Sequence, residues 1–306
     1  CMAAHRETRA QTVLVILVIL VIAIVGLYCY FEFWRTEPSE PEQLVKIRVD
    51  LSESGEWQSD LTDSPLYMST VTYVISNHGT GTAEGIQATI SIDAVVFDEF
   101  SLASLTSKAS FTDQFSVSMN FDSSKEISLT ASCGNSTDTG ILTVNAFLDR
   151  TFSPDLASLY ITPSDSIIQQ QLDDIVNNPL VPDWIEIRDW VANEIEYVTD
   201  TTAHGVSEYW QLPRETLSLR TGDCEDFSIL LCSLYRAIGW NENEVYVVIG
   251  EKEGMYHAWV KLNVDIIGWQ NIEPQAGGLN TLVGDFLSLS DYTAKYNFND
   301  VYFTAV

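Results

Sequence analysis

The stretch that decides the fold runs from Tyr209 to Leu231, YWQLPRETLSLRTGDCEDFSILL. At its centre, Gly222-Asp223-Cys224-Glu225-Asp226 precedes apolar residues at helical spacing, Phe227, Leu230, Leu231, Leu234 and Ile238, before Gly239 ends the run. Cys224 therefore sits at the mouth of a helix, where unpaired backbone N–H groups and the helix dipole favour a negative sulfur. A thiol nucleophile also needs a base within reach and a third group to orient that base. Both follow along the chain: His257 in His257-Ala258-Trp259-Val260 and Glu273 in Asn271-Ile272-Glu273-Pro274. They lie on consecutive strand-like runs, Tyr256 to Val264 and Gly268 to Ile272, and a hairpin between these runs would set His257 beside Glu273.

YWQLPRETLSLRTGDCEDFSILL, YHAWVKL (Tyr256 to Leu262) and GWQNIEP (Gly268 to Pro274), in this order, resemble the transglutaminase-like superfamily. The resemblance implies a papain-related core with Cys224 as nucleophile, His257 as base and Glu273 as the orienting carboxylate. Aspartate is usual at the third position. The extra methylene of Glu273 requires either slightly shifted strands or a looser imidazole, though glutamate still accepts the ring N–H.

Trp210-Gln211 matches a Trp-Gln pair common in the family. Gln211 either donates to an oxyanion together with the Cys224 backbone N–H or braces the loop before the helix. Asp223, Glu225 and Asp226 crowd the thiol with negative charge, which would raise its pKa. One reading has them capping backbone N–H groups and facing solvent. The other is a calcium ion, for which the resemblance implies Asp223 and Glu225 as ligands. Cys232 faces the apolar stripe and reads as a small buried hydrophobe, and His204, in a loop without a motif, reads as a solvated surface residue.

Upstream, Ser164 precedes Ile167, Ile168, Leu172, Ile175 and Val176, the pattern of a capped amphipathic helix that Pro179 stops. Pro182 opens a second helix with an apolar stripe from Trp184 to Val198. After the Cys224 helix come three strand-like runs, from Val245 to Ile249 and the two named above. Helices followed by antiparallel strands give an α+β domain over residues 151–306.

Residues 46–150 read differently, with period-2 alternation in Val71, Tyr73, Ile75, then Ile86, Ala88, Ile90, Ile92, then Phe115, Val117, Met119, Phe121, then Ile127, Leu129, then Ile141, Leu142, Val144, Ala146. This is the pattern of an antiparallel β-sandwich. Ser76 to Gly85, SNHGTGTAEG, lacks the glycine spacing of a phosphate loop and reads as a hairpin turn. The strands and this turn resemble CARDB-type adhesion modules, which implies a spacer or binding module.

From Thr12 to Phe31 the chain carries no charge and is mostly Val, Ile and Leu, which predicts a transmembrane helix over 12–34 after a cytoplasmic tail, 1–11. Residues 35–45, with Pro38 and Pro41, form a linker. The net charge of −28 excludes a nucleic-acid partner, which requires a basic surface, and places the acidic body outside the cell or in a periplasm. The sequon at Asn135 supports that placement weakly. The five cysteines form no CxxC pair and no disulfide framework or zinc site.

The expected function is thus a membrane-anchored extracellular cysteine hydrolase acting on a peptide or protein substrate. The chemistry requires no cofactor, and calcium is the candidate ion. The alternatives are a protein-crosslinking transglutaminase or a non-catalytic surface scaffold.

Overall fold

A computed structural model of the chain describes residues 20–28, 30, 44–58, 65–275, 277 and 292–306. Its N-terminal unit is a β-sandwich of seven strands: β1 (Ile47–Gln58), β2 (Leu66–Asn77), β3 (Ala83–Ile92), β4 (Val95–Leu105), β5 (Ser110–Asn120), β6 (Ser123–Cys133) and β7 (Ser136–Ala146). They form one sheet ordered β1-β2-β5 and another ordered β4-β3-β6-β7, with antiparallel pairing throughout. Most of the alternating residues meet between the sheets: Val71, Tyr73, Ile75, Ile86, Ala88, Ile90, Val117, Met119, Ile127, Leu129, Val144 and Ala146 are buried, whereas Ile92, Phe115, Phe121 and Leu142 are half-buried and Ile141 is exposed.

The segment from Ser76 to Gly85 is not a hairpin, because β2 and β3 belong to different sheets. It is an arch held by Asn77, whose amide accepts from the backbone N–H of Gly79 at 2.9 Å and donates to the carbonyls of Gly81 and Leu105 at 2.7 and 3.0 Å. A Cβ on Gly79 would lie 2.4 Å from the Leu44 carbonyl, so only glycine lets the two backbones meet here. Strand β4 had no signal in the alternation: it is an edge strand, and Val95, Val96 and Phe97 are exposed.

The C-terminal unit begins with α1 (Ser166–Ile175) and α2 (Asp183–Glu194), and continues with β8 (Glu196–Tyr197), α3 (Asp200–Ala203), α4 (Pro213–Leu219), β9 (Thr221–Gly222) and α5 (Cys224–Ala237). A five-stranded antiparallel sheet follows, made of β10 (Val245–Lys252), β11 (Met255–Val264), β12 (Gly268–Ile272), β13 (Tyr292–Phe298) and β14 (Phe303–Ala305), in the order β12-β11-β10-β13-β14. Asp165 caps α1, accepting from the Ile167 N–H at 3.0 Å, one residue later than the Ser164 cap read from the sequence. The second helix stops at Glu194, short of Val198, because the next residues pair as β8 with β9.

Helix α5 is the axis of this unit. Phe227, Ile229, Leu230, Leu231, Cys232, Leu234 and Tyr235 are all buried, with α1, α2 and α4 on one side and β10 and β11 on the other. Enclosure on every side explains why its apolar residues exceed a single stripe. The packing fixes the first turn of α5 against the sheet.

The expected membrane crossing is not supported. Residues 20–28 are helical. Among the described residues no helix is long and apolar enough to cross a membrane. Positions 1–19, 29 and 31–43, which hold the rest of the expected tail, span and linker, lie outside the described residues. The single-pass anchor is therefore not supported.

Candidate active site

Cys224 is the first residue of α5, and β9 leads directly into it. A Cβ on Gly222 would lie 2.6 Å from the Asp226 Cβ, so the chain turns into the helix across a position open only to glycine. The Ala258 backbone, next to His257 on β11, hydrogen-bonds toward the Cys224 sulfur and favours its anion. His257 Nε2 lies 2.8 Å from Glu273 Oε2 and 3.2 Å from Oε1. Donation from Nε2 leaves Nδ1 as the ring nitrogen with an open lone pair.

The register of β11 with β12 pairs Val260 with Ile272, so Glu273, one residue on, is level with Trp259 and diagonal to His257. The longer acid bridges that diagonal with both oxygens on one nitrogen, and the imidazole is not loosely held. Burial by itself pushes the Glu273 carboxyl up, but the hydrogen bond and charge of His257, and then those of Lys252, hold it below the usual carboxylate value. Trp259 stacks beside His257, with ring centroids 6.3 Å apart, and its indole N–H donates to Asn271 at 3.0 Å.

The environment of the thiol is acidic. Burial, then Glu225 and Asp223, push the Cys224 thiol far up, and its S–H lies 3.3 Å from Glu225 Oε2 as donor. Glu225 and Asp226 are buried, so they do not face solvent as one sequence reading held. Asp226 does serve the backbone: it accepts from the N–H of Asp223 at 3.2 Å, the N–H of Gln211 at 2.8 Å and the Gln211 side-chain amide at 2.9 Å. Asp200, at the start of α3, joins the group from 24 residues upstream of Cys224 in sequence.

One ligand atom from each of Asp200, Asp223, Glu225 and Asp226 falls within 4.8 Å of the others. Burial raises the carboxyls of Glu225 and Asp226 well above the usual range and that of Asp200 to about 6, the last with help from the Asp223 charge. Asp200 Oδ1, Asp223 Oδ1 and Glu225 Oε1 are buried without any hydrogen-bond partner. Hard oxygen donors left unsatisfied at one point are the donor set of a calcium-type cation.

A family model described as the Transglutaminase-like superfamily matches residues 170–274. Residues 170–274 are a transglutaminase-like core. The CARDB family model matches residues 48–140. Among solved structures, calcium-bound LapG of Legionella pneumophila is similar at 16% identity over 46% of this chain and 77% of that one, with a TM-score of 0.36. The CARDB domain of the PF1109 protein from Pyrococcus furiosus, in complex with di-metal ions, is similar at 13% identity over 36% of this chain and all of that one, with a TM-score of 0.27. No curated protein sequence matches.

Within the transglutaminase-like core, Trp210 is buried, donates to Glu208 at 2.7 Å and packs on Phe152, Tyr160 and Phe298. Gln211 ties its backbone and one amide N–H to Asp226, which links the preceding loop to the first turn of α5. His204 is not a solvated residue: it stacks on Tyr209 with centroids 4.1 Å apart, and its Nε2 is buried. Cys232 is fully buried.

Sequence reasoning missed Asp200, Lys252 and Tyr292. Asp200 stands outside every local motif and reaches the site only because β8 pairs with β9. Lys252 stands at the end of β10, before the turn residues Glu253 and Gly254, and that turn signal marks where the strand would carry its last side chain.

Proposed function

We propose that the transglutaminase-like core is a cysteine hydrolase that cleaves an amide of a peptide or protein through Cys224, His257 and Glu273. The observation that supports this reading best is the 2.8 Å contact of His257 Nε2 with Glu273, on the strand whose next residue faces the Cys224 sulfur. His257 Nδ1 takes the thiol proton, and the sulfur attacks the carbonyl carbon. Collapse breaks the C–N bond, Nδ1–H returns the proton to the departing amine, and a thioester remains on Cys224. Water then adds, with its proton taken by Nδ1, the C–S bond breaks to release the acid, and Nδ1–H returns the proton to the sulfur. An amine in place of water gives a crosslink instead. Glu273 holds the ring in the tautomer that presents Nδ1 and stabilises the imidazolium.

Asp200, Asp223, Glu225 and Asp226 are the residues that would hold calcium, and their buried unpaired oxygens support that fit. When bound, the cation neutralises the carboxylates beside the sulfur. The CARDB-like sandwich is read as a spacer or binding module.

The test is incubation of the chain with casein and a fluorescent primary amine, with calcium present. New peptide termini that disappear in Cys224→Ala are expected. Incorporation of the amine without cleavage would replace hydrolysis by crosslinking, and neither product would leave a scaffold.

A further inference from the structure

Glu273 has two partners besides His257. Lys252 Nζ lies 2.7 Å from Glu273 Oε2, the oxygen that also faces His257 Nε2 at 2.8 Å, and the Tyr292 hydroxyl approaches the same oxygen at 3.4 Å. The three donors come from three strands: Lys252 from β10, His257 from β11 and Tyr292 from β13. The ammonium also lies 5.0 Å from the centroid of the Tyr292 ring. Glu273 and Lys252 are both largely buried, with side chains 7% and 33% exposed, so their attraction is only partly screened.

Glutamate has one more rotatable bond than the aspartate usual at this position, and an unpinned carboxylate would swing away from the imidazole. From this geometry we infer that Lys252 is a positioning residue, which fixes the carboxylate of Glu273 against His257 and shares its charge. The inference rests on the proposed acyl-transfer reading and adds a fourth member to its machinery. Lys252 therefore gives Glu273 the orientation in which it meets the imidazole. Among the described residues, the titratable groups facing Glu273 are His257, Lys252 and Tyr292.

The test is the titration of the His257 ring, followed by 15N NMR on the histidine-labelled full chain and assigned by its loss in His257→Ala. The rate of Cys224 alkylation by iodoacetamide is measured across pH in the same samples. Lys252→Met is expected to lower the His257 midpoint by about one pH unit and to slow Cys224 alkylation about tenfold, because the released carboxylate no longer meets the imidazole. Lys252→Gln gives the same shift should the methionine variant fail to fold, and Lys252→Arg restores the wild-type midpoint. In a Glu273→Gln background, removal of Lys252 should produce no orientation effect on Cys224 alkylation.

An unchanged midpoint and profile in folded Lys252→Met and Lys252→Gln would overturn the positioning role. So would a loss of alkylation rate on removing Lys252 that persists in full after Glu273→Gln. Failure of the underlying reading looks different: in the wild type, Cys224 would alkylate no faster than Cys133 and would be indifferent to His257→Ala, whatever the NMR midpoint does.

Discussion

Glu273 departs by one methylene from the acid that the resemblance implies, and its contacts show how a longer side chain is accommodated. It reaches diagonally across the β11–β12 register, and Lys252 and Tyr292 close over it. Its folded pKa lies below the usual 4.5, so in that interval the unfolded chain holds a proton that the folded chain does not. The stabilisation is complete above the unfolded value and is lost as the pH falls through the folded one. Glu273→Gln should therefore flatten the acid limb of the stability curve measured by urea unfolding between about pH 5 and 3. An acid limb as steep as the wild type would contradict the ionised, doubly paired carboxylate.

The first turn of α5 divides its acids between two tasks. Asp226 satisfies three buried donors, so Asp226→Ala should cost about 1–3 kcal/mol in urea unfolding whether or not calcium is present. Asp223 and Glu225 keep an unpaired oxygen each and repel their neighbours. Asp223→Asn and Glu225→Gln should leave metal-free stability equal or higher and abolish the calcium-induced rise in Tm. In the wild type that rise corresponds to about 2.7 kcal/mol at a calcium concentration 100 times its Kd. A Tm indifferent to calcium and chelator would reduce the cluster to a cap.

Much of this element was legible: Gly222, the acids and the apolar run fixed the start of α5 because each is a local signal. Asp200 and Lys252 were not, since their places depend on strand pairings, β8 with β9 and β10 with β11, that no local pattern specifies. Strand β4 was hidden for another reason, because this edge strand opens on three consecutive exposed apolar residues, Val95, Val96 and Phe97, which break the alternation.

In the whole molecule, Arg150 joins the sandwich to the transglutaminase-like core. Its guanidinium pairs with Asp122 in the β5–β6 turn, bonds Glu215 of α4 at 2.7 and 3.1 Å, and lies 5.2 Å from the ring centroid of Tyr209. Its side chain is only 10% exposed. Arg150→Met should lower stability by about 2–4 kcal/mol in urea unfolding, with Arg150→Lys recovering only part because it loses the fork. A loss no greater than that of an exposed pair would mean that the two units are held together elsewhere.

The two-unit order was readable from the chain, whereas the anchor expected from the hydrophobic run is not supported, since among the described residues no helix is long and apolar enough to cross a membrane. The central claim concerns Cys224, and alkylation at pH 6 with calcium present tests it most directly. The account predicts that iodoacetamide modifies Cys224 at least about tenfold faster than Cys133, and that His257→Ala removes the difference. Equal rates at the two cysteines, or a fast Cys224 that ignores the loss of His257, would contradict it.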